Sequence, residues 1–125
     1  MEQFSKVLAG ILKNSMYALL KKSETVTFSP EIFLGLKVNK DMLEITIRDN
    51  GSGIDENIKD KIFAPFFTTK TTGEAAGVGL YLCREIVQNH RGTIKVESKK
   101  GEYTQFLITI PVYQPKTITP PKEEE

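Results

Sequence analysis

A chain of 125 residues with 39% hydrophobic side chains has room for one domain with a real core and not for two. Its 17 lysines and arginines balance 16 acids to a net charge of +1, so no broad field steers it toward nucleic acid or an anionic membrane, and any anion must be held locally. The single Cys83 excludes an internal disulfide, no cysteine and histidine spacing suits zinc, and no apolar run approaches the roughly 20 residues of a membrane span; with an acidic, amphipathic segment after Met1 in place of a signal peptide, the expectation is a reducing, cytoplasmic setting without direct membrane insertion.

In chain order, Phe4, Val7, Leu8, Ile11, Leu12, Ala18 and Leu19 recur at helical spacing and predict an amphipathic helix over residues 4–20, with Lys21 and Lys22 suiting its carboxyl end. "IFLGLKV" and "MLEITIR", joined by "NKD", read as a hairpin in which Leu43, Ile45 and Ile47 alternate with polar neighbours, so one sheet face is buried. "DENIKDKIF" predicts a short helix that Pro65 stops. Residues 64–76, rich in threonine and small residues and without periodicity, read as a mobile loop. "VGLYLCREIVQNH" resumes the helical spacing, with Gly92 as its cap, and "TIKVES" and "TQFLITI" form a second hairpin around residues 99–102. The proline-rich, acidic end, residues 113–125, reads as a disordered tail behind a domain of residues 1–112. The sum is an α+β fold, a two-layer sandwich with helices on one face of a mixed, mostly antiparallel sheet.

Three places carry residues suited to chemistry. Asp49 ends a strand and is followed by Gly51 and Gly53, which allow a tight turn with positive φ and a close approach of backbone to a ligand. A carboxylate accepts hydrogen bonds only, which fits the amino group of a flat ring such as adenine; the plainer alternative is a glycine turn with an acidic cap. Gly77 and Gly79 stand before a helix whose free amides and dipole would welcome phosphate, although the glycine-lysine-serine ending of a Walker loop is absent, and a flexible hinge is the alternative. Asn14 falls at the margin of the apolar arc, one turn from Ile11 and Ala18, where its amide oxygen suits Mg²⁺ or, alternatively, a local backbone bond. Phe63, Phe66 and Phe67 are most simply core, beside a polar stretch whose Lys70 can reach a phosphate. His90 ends a helix and is expected to bond locally there.

The order of these pieces is more telling than any one of them. An asparagine on an amphipathic helix, "DNGSGI" after a strand, "IFAPFFTTK", and a Gly-x-Gly helix start closely resemble the ATP-binding catalytic domain of bacterial sensor histidine kinases, over about residues 4 to 112. The wider superfamily, with its Bergerat ATP-binding fold, includes DNA gyrase, a heat-shock chaperone and a mismatch-repair ATPase. The resemblance implies that ATP or ADP and Mg²⁺ are the ligands, that Asn14 binds the metal and is catalytic, and that Asp49 receives the adenine amino group beside Gly51, Gly53 and Ile54. It further implies that Phe63, Thr69 and Lys70 belong to the phenylalanine box, that Gly77, Val78, Gly79 and Leu80 close on the phosphates, and that Thr104 helps hold the aspartate through water.

On the same resemblance the γ-phosphate passes to a histidine on a separate phosphoacceptor domain and then to a response regulator, in a parent that is cytoplasmic or anchored at the inner membrane. The strand and helix that normally precede the asparagine helix are not in this sequence, so an N-terminally truncated sheet with an open edge, able to pair with a second copy, is expected. Gly10 stands where the family usually carries asparagine, histidine or an acid, and Ala75 and Ala76 replace a usual glycine and threonine. These departures motivate a second reading, a nucleotide-binding module without catalysis. The short length suits a third, an anti-sigma-type serine kinase, which generally lacks the phenylalanine box.

Overall fold

The computed structural model describes residues 2–64 and 78–112. Helix α1 (Glu2–Ser23) leads into strands β1 (Ile32–Asn39) and β2 (Met42–Asp49); a single 3-10 turn (Lys59–Lys61) follows, then helix α2 (Val78–Asn89) and strands β3 (Thr93–Lys99) and β4 (Tyr103–Pro111). The four strands form one sheet in the order β1-β2-β4-β3. Every described pair is antiparallel, so the expected mixed sheet contains no parallel pair among these residues.

The alternation read in β2 is the one observed. Ile45 and Ile47 are buried, and their β4 partners Ile108 and Phe106 lie beside them on the same face. Both helices cover that face: α1 packs on β2 and α2, and α2 on β3. Val7 and Ile11 from α1, Cys83 and Val87 from α2, and Ile62 and Phe63 complete the core. Full burial of a side chain the size of Ile11, Ile47 or Phe106 contributes about 1.5–3 kcal/mol. Cys83 belongs to this packing rather than to redox chemistry. Burial pushes its thiol up to about 11, and Sγ lies 3.5 Å from the Val7 carbonyl oxygen.

Two expectations are corrected in detail. The segment "DENIKDKIF" does not build an α-helix: Ile58, Lys61 and Ala64 each donate to the carbonyl three residues back, leaving only the 3-10 turn. The Asp55 carboxylate accepts the Asn57 N–H at 2.9 Å, and this local side-chain bond competes with helical pairing. At the end of α2 the left-handed residue is Arg91, with φ 64°, and not Gly92. Gly92 donates to the Val87 carbonyl at 2.9 Å, and a Cβ there would collide with the Thr109 carbonyl oxygen of β4. Its glycine is required by helix-to-sheet packing rather than by φ. His90 bonds locally as expected, through Nδ1 to the Ile86 carbonyl at 2.8 Å.

No helix among the described residues is long and apolar enough to cross a membrane.

Candidate nucleotide site

Asp49 is the last residue of β2 and only 1% exposed. One carboxylate oxygen, Oδ1, accepts the Gly51 N–H at 2.9 Å, which ties the acid to the turn that follows it. The other, Oδ2, has no hydrogen-bond partner among the described residues. Burial pushes the Asp49 carboxyl above its ordinary value, opposed by the Gly51 N–H, the Ser15 hydroxyl and the charge of Lys22. Ser15, at 0% exposure on α1, lies close enough for its hydroxyl to favour the Asp49 carboxylate, although its Oγ meets no partner at full hydrogen-bond geometry among the described residues.

The turn from Asn50 to Asp55 is held from both sides. On the helix side, Ser52 donates its N–H to the Ala18 carbonyl at 3.1 Å, and a Cβ on Gly51 would come within 2.8 Å of three Ala18 atoms. Gly51 is therefore needed for close approach, not for the positive φ expected of it. Gly53 does carry that φ, at 73°, and a Cβ there would collide with the Lys99 carbonyl oxygen. On the hairpin side, Gly101 donates its N–H to the Ser52 carbonyl at 2.6 Å, Ile54 donates its N–H to Ser98 Oγ at 2.7 Å, and Lys100 pairs with Asp55 at 3.3 Å. The Asn57 N–H and Lys100 hold the exposed Asp55 carboxyl below its ordinary value. Asn50 works as a staple: its side chain bonds Glu31 N–H at 2.8 Å and the Ser29 carbonyl at 2.9 Å, while its own carbonyl accepts Lys22 Nζ at 3.0 Å.

Thr104 is 1% exposed and directly opposite Asp49 in the β2–β4 register. Its hydroxyl lies 3.1 Å from Ser98 Oγ, which also donates to the Tyr103 carbonyl at 2.7 Å. Ser15, Asn50 and Ser98 are the residues that reading motifs missed. The available signal was positional: Ser98 and Thr104 are polar on the inward face of otherwise alternating strands, and Ser15 sits in the apolar arc of α1.

Asn14 precedes Ser15 on α1, is half-buried, and makes no side-chain hydrogen bond among the described residues. Its local-bond alternative is thus not the one adopted. Phe63 is core, packed edge-to-face on Phe106 with centroids 6.3 Å apart and with the Arg84 guanidinium over its ring. Ile54 and Leu80 are half-buried against the same core. Val78 and Gly79 fall in the first turn of α2, so the helix starts before Gly79 and not after it. Thr69, Lys70 and Gly77 lie outside the described residues, as do Phe66, Phe67, Ala75, Ala76 and the tail from residue 113. The structure thus brings Asp49, Gly51, Gly53, Ile54 and Thr104 to one end of the sheet, between α1 and the β3–β4 hairpin, while Asn14 stands on α1 next to Ser15. No group of three or more histidine, cysteine, aspartate or glutamate side chains able to hold a metal occurs among the described residues. A cation here would depend on a neutral oxygen donor such as Asn14 and on oxygens brought by its ligand, which is how Mg²⁺ is commonly bound.

Comparison with known proteins shows what the whole chain is similar to. The model of the family described as histidine kinase-, DNA gyrase B-, and HSP90-like ATPase matches residues 2–114. Sporulation kinase E of Bacillus subtilis (strain 168) is 35% identical over 113 residues, covering 90% of this chain and 14% of that protein. Cyanobacterial phytochrome A of Nostoc sp. is 42% identical over 86 residues, covering 67% and 11%. The nucleotide-free catalytic domain of histidine kinase ThkA superposes with a TM-score of 0.71 at 30% identity, covering 88% of this chain and 66% of that one. The chain spans between about a tenth and a fifth of the length of these and similar curated relatives.

Proposed function

Because the chain belongs to the histidine kinase-, DNA gyrase B-, and HSP90-like ATPase family, we propose that residues 1–112 bind Mg²⁺ with ATP or ADP as the catalytic domain of a sensor histidine kinase. The γ-phosphoryl group of ATP goes to a histidine on a separate domain of the same kinase, and from there to a response regulator. The observation that carries the nucleotide reading is the Asp49 carboxylate, buried at the end of β2 with Oδ1 fixed by Gly51 and Oδ2 unpartnered. A buried acceptor without a donor costs about 1–3 kcal/mol, more when charged, and an exocyclic amino group supplies that donor.

In this reading Asp49 accepts the adenine amino group. Gly51, Gly53 and Ile54 bring backbone to the base, and Thr104 braces the acid from the neighbouring strand. Asn14 offers its amide oxygen to Mg²⁺, whose charge would neutralise phosphate oxygens. Phe63 anchors the segment that carries Thr69 and Lys70, and Lys70, with Gly77, Val78, Gly79 and Leu80, serves the phosphates. Catalysis is then mainly positioning, as phosphoryl transfer generally requires. The setting proposed is the cytoplasm or the cytoplasmic side of a membrane-anchored parent.

A second reading, binding without transfer, has its own observation. Position 10, one turn ahead of Asn14 on α1, is glycine and offers no side chain to orient or activate anything. The two readings separate in one assay: ATP with labelled γ-phosphate, this domain, Mg²⁺ and a histidine-bearing domain from the parent kinase. Label on that histidine, lost in Asn14→Ala, supports the kinase; tight nucleotide binding with no label on the partner supports the binding module.

The outer edge of β1 is proposed to pair with a second copy. Two β1 strands run antiparallel about Gly35 would set Leu34 against Leu36 and Ile32 against Val38, apolar on apolar, with Lys37 beside Phe33 on the other face. Sedimentation at rising concentration should show a monomer–dimer equilibrium, and a strictly monomeric chain would end that proposal.

A further inference from the structure

The helix layer stops short of the sheet it covers. Val7, whose carbonyl lies against Cys83, marks the α2 side of α1. From there, at about 100° per residue, Ile11, Ser15 and Leu19 turn in succession through the buried face, and Leu12 and Met16 come out about 140° and 180° from Val7. With the strands in the order β1-β2-β4-β3 and α2 lying toward β3, that far flank of α1 is the one next to β1. Six of the nine large apolar side chains left exposed among the described residues stand there: Leu12, Met16 and Leu20 on the helix, and Leu34, Leu36 and Val38 on the strand, between 36% and 70% exposed. All six are on one side of the sheet, because Leu34, Leu36 and Val38 pair with Ile47, Ile45 and Leu43 of the covered face. No charged residue interrupts the surface, which runs at every second position along β1 and every fourth along α1.

Resting on the pairing of β1 with a second copy set out above, we propose that α1 completes that interface: the far flanks of the two α1 helices meet over the paired β1 strands and close the helix layer across the joined sheet. Spacing selects a second copy as the occupant. Neighbouring strands lie about 4.8 Å apart, so β2 and its copy, with two β1 strands between them, are about 14 Å apart. A helix with its side chains is about 10–12 Å across, so two α1 helices, each over its own β2, leave a gap of about 2–4 Å. That gap is too narrow for a further helix and takes the Leu12 and Met16 side chains of both copies above Leu34 and Leu36. The two-fold axis relating antiparallel β1 strands stands perpendicular to the sheet, which keeps both helix layers on one side and sets the two helices antiparallel. The same patch is thus used twice, apolar on apolar, and no charge is buried. A strand that is to stay a bare edge ordinarily carries an inward-pointing charge, and the inward face of β1 has none.

The test reads the helix and the strand separately in the full chain. Sedimentation equilibrium over rising concentration compares wild type, Leu36→Lys on the strand and Met16→Glu on the helix flank, with thermal melts as the folding control. Met16→Glu sets two carboxylates against each other across the two-fold axis and should weaken the dimer at least about tenfold, as one lost buried apolar contact or one like-charge pair does, while its melt matches that of wild type. A positive readout stands beside it. Leu12→Cys should give a covalent dimer with a short bismaleimide, whereas Leu82→Cys, exposed on α2 and remote from the seam, should not; the native Cys83 is buried in both. If Leu36→Lys turns the chain monomeric but Met16→Glu still dimerises like wild type and Leu12→Cys does not crosslink, strand pairing stands and the role of α1 is overturned. Crosslinking at Leu82→Cys as readily as at Leu12→Cys would overturn it too. A wild type that is monomeric at every concentration would overturn both the pairing and the seam.

Discussion

The same sheet is treated in opposite ways at its middle and at its edge. In β2, Ile47 and Ile45 are 0% and 3% exposed; their direct partners in β1 on the same face, Leu34 and Leu36, are 55% and 70% exposed. Neither helix makes more than marginal contact with β1. At the end of β2, by contrast, buried polar groups are gathered and the backbone around them is clasped by α1 and the β3–β4 hairpin. The difference teaches how to read an uncovered group. An apolar strip left in water on an edge strand asks for another chain, whereas a carboxylate oxygen left unpaired in a buried, backbone-braced corner asks for a small ligand with a donor.

The largest expected effect breaks the clasp itself. Gly53→Ala puts a side chain on a backbone with φ 73° and into the Lys99 carbonyl, and should cost about 2–4 kcal/mol in urea unfolding. Gly101→Ala sharpens this, because its φ is 83° but nothing lies within 4 Å of the added Cβ. There the left-handed strain alone applies, about 1–2 kcal/mol. Equal losses at the two positions would mean that the hairpin is not clamped on the turn.

A smaller effect probes the carboxylate. Burial raises the folded-state pKa of Asp49, so its ionised form opposes folding. The stability linked to this group is fully present below the unfolded carboxylate pKa and is lost as pH rises through the folded one. Asp49→Asn should therefore raise the stability of the nucleotide-free protein at neutral pH, by about 1 kcal/mol, the scale of an unpaired buried polar group. That advantage should shrink as pH falls through the folded Asp49 pKa and be gone below the unfolded value. A constant difference across the pH range would show that the carboxylate is not strained by burial.

The smallest effect belongs to the edge. Leu36→Lys leaves the core untouched and should change stability by less than about 0.5 kcal/mol, as surface substitutions do. It should nevertheless shift sedimentation toward monomer, since a lysine on an edge strand blocks pairing. A destabilised monomer instead would mean that Leu36 belongs to the core.

How far these features were legible in the sequence differs residue by residue. The helices, both hairpins and the buried face of β2 follow from periodicity, because Ile45 and Ile47 can be on one side only. Asp49 at a strand end and the two glycines were legible as a motif, but their separate reasons were not. Gly51 answers to Ala18 and Gly53 to Lys99, contacts between segments far apart in the chain. The Asp55 turn defeated the helix expectation because a single side-chain bond to Asn57 outweighs a weak propensity. Ser15 was invisible for a simpler reason: within a helix, a serine that bonds its own backbone and one that does not look alike until the opposing strand is in place.

The central claim is that Asp49 is the purine anchor, and it is tested most directly by titrating ADP with Mg²⁺ into wild type and Asp49→Asn side by side. Binding by wild type with at least about a hundredfold loss in the variant, which remains folded, is the predicted result, in line with the cost of leaving a buried donor of the ligand without its charged acceptor. Equal affinity in the two folded proteins would contradict it.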